Sequence, residues 1–265
     1  MIQNLDVFLW NRKVGTLVAY REKYKEKVCF YFDSDFIKGG YDIAPLQAPI
    51  NGVTAQRGLP VYAEDDKIFG GLPSFIADSL PDHWGNRVFN EWAKVHHIKS
   101  RDLSSLDRLA YIGRRGMGAL EFIPPAAEEM EKPFKVEIAD LHRLAHAALN
   151  EAKGFKAEMQ PDLMIESLFK VGTSAGGRQP KAIIAINKIT GEIRSGQVAG
   201  LQNYDYYILK FGDTKYSSAE IEMTYYEMAI KSGIDMMPSR LYEIEGNGNF
   251  ITKRFDRDGE RKLHT

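Results

Sequence analysis

The ten residues Gly172-Thr173-Ser174-Ala175-Gly176-Gly177-Arg178-Gln179-Pro180-Lys181 constrain this chain most, because they run directly into an apolar strand, Ala182 to Ile186, with a second strand at Tyr206 to Phe211. A glycine-rich loop that opens a strand lets backbone N–H groups close onto phosphate oxygens, an approach that Cβ atoms would block. Lys210, set between Leu209 and Phe211 on the later strand, supplies the point charge such phosphates require. A Gly-rich hairpin turn with no ligand is the alternative. The loop is not a P-loop, since Arg178-Gln179 stands where Lys-Ser/Thr would have to follow Gly177. It also lacks the Gly-x-Gly-x-x-Gly spacing of dinucleotide sites and of ordinary protein kinases.

Downstream of Lys210, Tyr216-Ser217-Ser218-Ala219-Glu220-Ile221-Glu222 predicts a helix that runs to about Ser232 and stops at Gly233. Ser217 and Glu220 have the spacing of a capping box, which leaves Glu222 as the carboxylate to pair with Lys210 or else as a solvated helix charge. Two strand-like runs follow, Arg240 to Ile244 and Phe250 to Arg254, with Gly246-Asn247-Gly248-Asn249 as the turn between them.

The N-terminal part reads as small mixed β structure: strands at Leu5 to Trp10 and Lys13 to Tyr20 around an Asn11-Arg12 turn, and another at Lys27 to Phe32. Helical segments are predicted at Phe75 to Ala77 and Val88 to Val95, separated by a turn at Pro81 to Gly85. Ser104 and Asp107 cap a short helix to Ile112. Residues 124–135 look like a linker, and Ile138, Leu141, Ala145, Ala148 and Leu149 then repeat at helical spacing. His142 and His146 lie on that helix without the Glu of a His-Glu-x-x-His site, so no metal is expected there.

With 265 residues, two modest domains are expected. A net charge of −1 excludes a general nucleic-acid binder, so any DNA association would come through a partner. The single cysteine, Cys29, excludes an internal disulfide and suits a reducing cytosol. Without a basic n-region or an apolar run approaching the ~20 residues that span a membrane, the chain is expected to be cytoplasmic.

Nearly the whole chain resembles the HipA-like serine/threonine kinase toxins of bacterial type II toxin–antitoxin modules. The resemblance rests on the loop Thr173 to Lys181, the Ile208-Leu209-Lys210 strand, the helix from Glu222 to Gly233, and Arg254-Phe255-Asp256-Arg257. In the N-terminal part it rests on Gly39-Gly40, Leu80-Pro81-Asp82-His83-Trp84-Gly85, and Asp107 to Gly113 leading into Gly116 to Phe122. It implies an α+β fold: a HipA-type N-terminal domain over residues 1–123, then over 136–265 a protein-kinase-like N-lobe with an antiparallel sheet and one main helix.

For the site, the resemblance implies ATP contacts from Thr173, Ser174, Ala175, Gly176, Gly177, Lys181, Lys210, Glu222, Lys253 and Phe255. Adenine lies along Thr252 to Phe255. A loop hydroxyl, Thr173 or Ser174, is the candidate for inhibitory autophosphorylation, which would place nearly two negative charges where ATP phosphates must sit. Implied partners are a HipB-like helix-turn-helix antitoxin, and a protein substrate from translation such as an aminoacyl-tRNA synthetase.

The family's catalytic Asp and magnesium ligands follow the hinge, and no Asp-x-x-x-x-Asn stretch occurs after Arg257. The chain is therefore expected to be a front half without catalytic residues or a metal site of its own. It should bind ATP and magnesium weakly or not at all, remain inactive alone, and self-associate through the face turned to the absent lobe. A non-catalytic antitoxin-binding module and an unrelated ATP-dependent enzyme are the competing readings.

Overall fold

The computed structural model describes residues 2–23, 25–65, 67–99, 103–124, 139–141, 143, 177–197, 200–213 and 215–264. Contacts divide the chain into two compact units, the first formed by residues 1–80, 99–131 and 264–265 and the second by residues 81–98 and 132–263. The fold is α+β, and both main sheets are antiparallel throughout.

In chain order the first elements are β1 (Asn4–Leu9), β2 (Arg12–Glu22), β3 (Lys25–Phe32), α1 (Ser34–Lys38), α2 (Val53–Gln56), β4 (Val61–Tyr62), α3 (Ser74–Ala77), α4 (His83–Val95), α5 (Ser105–Ile112) and β5 (Leu120–Ile123). All but α4 belong to the first unit. Its sheet has the order β4-β3-β2-β1-β5. Leu5, Val7 and Leu9 alternate inward along β1 and meet Leu17, Phe30 and Phe122 in one core, which is why these strands read so plainly as half-buried. The β1–β2 turn lies at Trp10-Asn11 rather than Asn11-Arg12. Both turn residues have positive φ, 50° and 62°, which matches the two-residue turn that right-twisted strands favour.

The capping box of α5 forms as expected. Ser104 Oγ accepts from the Asp107 amide at 3.1 Å, and Asp107 Oδ2 accepts from the Ser104 amide at 2.9 Å. The other Asp107 oxygen accepts from the Ile2 amide, so one buried carboxylate ties the start of the chain to this helix.

The second unit continues with β6 (Lys181–Asn187), β7 (Ile193–Ser195), β8 (Tyr204–Lys210), α6 (Ser218–Lys231), β9 (Ser239–Ile244), β10 (Asn247–Lys253) and the small hairpin β11 (Arg257–Asp258) and β12 (Arg261–Lys262). Its main sheet runs β7-β6-β8-β10-β9.

Three local expectations change here. Pro81 to Gly85 is not a turn: Asp82 N-caps α4 through Gly85, so the helix starts at His83, and α4 belongs to the second unit although its sequence lies within residues 1–123. The Ser217/Glu220 capping box does not form, because Ser217 sits in the left-handed region at φ 47° and its side chain makes no cap bond. The β9–β10 turn is Glu245-Gly246, with φ of 49° and 78°, and Asn247 already opens β10.

Asn249 is fully buried instead of turning in solvent. Its amide donates to Tyr242 O and Asn247 O, and its carbonyl accepts from the Gly212 amide at 2.9 Å, which joins the end of β8 to the β9–β10 hairpin. Residues 125–135 of the expected linker, the His142/His146 pair and Thr173 to Gly176 lie outside the described residues.

Candidate functional site

Lys181 opens β6 and Lys210 closes β8, and the two are direct partners in the antiparallel register. Directly opposed residues project from the same face, so two ammonium groups stand side by side, an arrangement that is destabilising unless anions answer it. Two carboxylates do so. Lys210 Nζ lies 2.6 Å from Glu222 Oε1 on α6, with both side chains about one-third exposed or less, and it also stands over the Phe250 ring at 5.6 Å. Glu222 is therefore the helix partner of the strand lysine.

Lys181 is buried, with 3% of its surface exposed. Burial pushes its ammonium below its ordinary range; Asp82 and Glu222 oppose that shift and Lys210 adds to it. The Lys181 ammonium belongs to the loop as well as to the strand, because a Cβ placed on Gly177 would come within 2.9 Å of Lys181 Nζ, and Gly177 has φ +104°. A residue without a side chain thus lies directly against the Lys181 ammonium, where any Cβ would crowd it.

The stem of the loop is held from two sides. Gln179 Nε2 donates to Phe211 O at 3.1 Å and to Ser218 Oγ at 3.2 Å, and Ser218 Oγ also accepts from the Asp213 amide. This links the stem to the first turn of the helix that carries Glu222. On the other side, the Trp84 amide donates to Gly177 O and its indole to Lys181 O.

Of the sequence-predicted site residues, Gly177, Lys181, Lys210 and Glu222 come together. Phe255 follows β10 as an exposed aromatic, with 62% of its surface free. Lys253 does not join them: it is out of phase with Thr252, which shares the lysine face through Ile208, and its Nζ pairs with Asp205 at 3.0 Å. Thr173, Ser174, Ala175 and Gly176 fall outside the described residues.

Two contributors were not foreseen, Asp82 and Trp84. Beside the resemblance of the segment that holds them, their sequence signal is the Asp-x-x-Gly start of a helix whose apolar periodicity, Trp84, Val88, Phe89 and Trp92, marks a buried face without saying which unit it buries against.

Beyond the sheet, Asp256 gathers two guanidinium groups in the protein interior. Arg254 Nε and Nη2 bind its two oxygens at 2.7 and 2.6 Å, Arg257 Nη1 reaches Oδ2 at 2.9 Å, and Arg254 Nη1 donates to Gly196 O. Burial lowers the Arg257 guanidinium to about 10, with Arg254 acting in the same direction and Asp256 against it. This cluster follows directly on β10 and joins it to Gly196.

The second unit thus combines an antiparallel sheet, a helix carboxylate paired with a strand lysine, and Gly177 set against a second lysine. The chain belongs to the HipA-like family: the HipA N-terminal domain matches residues 5–123 and the HipA-like C-terminal domain matches residues 173–265. The second match tempers the expectation that the chain stops ahead of the family's C-terminal half, since residues 173–265 already count as part of that domain. It also leaves an unrelated ATP-dependent enzyme without support.

Among solved structures, the chain is similar to one from Shewanella oneidensis MR-1, described as the toxin–antitoxin system HipA, HipB and its operator DNA complex. The TM-score is 0.59 with 17% identity, covering 98% of this chain and 53% of that one, so this chain spans about half its length. At that identity the likeness shows the fold. No curated protein matches the chain. Among the described residues no helix is long and apolar enough to cross a membrane.

Proposed function

We propose that the second unit is the ATP-binding lobe of a HipA-like protein serine/threonine kinase, the toxin of a type II toxin–antitoxin pair. The observation that carries this reading is the Lys210–Glu222 ion pair at 2.6 Å beside the Gly177-covered Lys181 ammonium. Lys210 and Lys181 would neutralise phosphate oxygens, Glu222 would hold Lys210 in place, and the exposed Phe255 ring would receive adenine. A phosphoryl group on Thr173 or Ser174 would compete for the same two ammonium groups, which is the physical basis for inhibition by autophosphorylation.

Among the described residues no three His, Cys, Asp or Glu side chains gather to hold a metal ion. Asp82 and Glu222 serve the lysines, and magnesium would enter with the nucleotide.

The family assignment supports a HipB-like helix-turn-helix antitoxin as partner, with DNA reached through it, and a translation component such as an aminoacyl-tRNA synthetase as substrate. Self-association through the apolar side of α6 fits the exposure of Tyr225 and Met228. Calorimetric titration with ATP tests the site. Binding should be lost in Lys210→Ala and retained in Lys253→Ala, and ATP binding that survives Lys210→Ala would overturn the assignment.

A further inference from the structure

Helix α4 reaches the lysine site from a part of the sequence more than eighty residues away, and its first turn does the connecting. The first amides of any helix lack partners within it. Here the second helical residue, Trp84, gives its amide to the Gly177 carbonyl at 3.2 Å, and its indole Nε1 donates to the Lys181 carbonyl at 2.9 Å. Trp84 is 1% exposed, and Asp82, which caps the same turn, lies close enough to act electrostatically on the Lys181 ammonium. One buried residue therefore brackets both ends of the stem, its backbone amide at the glycine beside the Lys181 ammonium and its indole at the residue that bears it. An indole N–H needs only one acceptor, and many backbone carbonyls would serve. The one it takes belongs to a residue of the site, and the amide beside it takes another.

We infer that Trp84 is a positioning residue of the phosphate site, holding the stem of the glycine loop over Lys181 and Lys210 without touching the ligand itself. The identity of that ligand as a nucleoside triphosphate rests on the function proposed above, whereas the anchoring of the stem does not.

The test uses the full 265-residue chain and Trp84→Phe, which keeps an aromatic ring and the backbone amide but removes the indole donor. Hydrogen exchange without nucleotide is the first readout. Amides of residues 178, 179 and 181–183 should exchange about tenfold faster in the variant, the scale of one lost hydrogen bond, while β8 and β10 of the same unit keep their protection. Unchanged exchange at these amides, or equal loosening across the whole sheet, would overturn the inference. The second readout compares ligands: ATP affinity should fall about tenfold while adenosine affinity stays within twofold. An equal fall for both would reduce Trp84 to a packing residue. If the unaltered chain binds neither ligand measurably, the exchange result alone decides the anchoring.

Discussion

Replacing Asp256 by Ala should destabilise the second unit severely. The carboxylate is 1% exposed and accepts three charge-assisted hydrogen bonds of 2.6–2.9 Å from two guanidinium groups. Each such bond contributes roughly 1.5–3 kcal/mol, but the larger effect is the pair of buried cations left facing each other. Breaking a buried pair in this way costs about 3–5 kcal/mol, a large share of the roughly 5–15 kcal/mol that holds a folded domain. At roughly 2–4 °C per kcal/mol for a chain of this size, the melting temperature should drop by roughly 6–20 °C. Urea denaturation followed by tryptophan fluorescence in a Trp10→Phe background confines the signal to Trp84 and Trp92, both in the second unit. The pH dependence supplies an internal check. Arg257 has a folded value near 10, below its ordinary 12.5, so its burial costs stability at all lower pH and that cost is relieved as pH rises through 10. With Asp256 gone, the force opposing the shift is removed and the relief begins at lower pH. The difference between variant and unaltered chain should therefore shrink on going from pH 8 to pH 10. A loss below about 1 kcal/mol, the size of an exposed ion pair, would refute the reading of the cluster as a buried charge network.

Lys181→Met should leave stability at pH 7 unchanged or raise it by about 1 kcal/mol, since the desolvation of this buried cation outweighs its attraction to Asp82 and Glu222, yet weaken ATP binding at least tenfold in a calorimetric titration. Glu222→Gln should cost less than about 1 kcal/mol, because its pair with Lys210 is partly solvated, and chemical denaturation would show it; a loss several times larger would mean the pair is a structural strut. Gly212→Ala should cost about 1–3 kcal/mol by overpacking, because its Cβ would overlap the Gly248 carbonyl oxygen. Burial raises the Cys29 thiol, so its folded value lies above its unfolded one and its contribution to stability is lost as pH rises past 9; alkylation at pH 8 should accordingly track unfolding.

Much of the fold was legible because half-buried strands write their alternation into the chain. Leu5, Val7 and Leu9, or Ala182 to Ile186, can satisfy few other arrangements. What escaped was set by contacts that periodicity does not record. Ser217 sits in the left-handed region and makes no cap bond, while Ser218 bonds the Asp213 amide, none of which a Ser-x-x-Glu spacing can reveal. Asn249 looks like a turn residue until the Gly212 amide and the Tyr242 carbonyl are brought to it. Helix α4 advertised its apolar face clearly, but its membership of the second unit depends on partners far along the chain.

The site shows the same division between what one residue states and what only a pairing states. Lys210 was legible as a cation on an apolar strand, and Glu222 as its partner by position on the following helix. Lys181 was expected at the site from the family resemblance, and register adds that it stands opposite Lys210, so the sheet places two like charges together at a cost of stability. A fold that served stability alone would set an apolar residue at one of these positions, as β6 and β8 do at the adjoining Ala182–Leu209 pair. Keeping both lysines, Lys210 paired with Glu222 and Lys181 against Gly177 within reach of Asp82 and Glu222, is an arrangement suited to a polyanion. The same register argument removes Lys253, one step out of phase and held by Asp205, from the set that such an anion would meet.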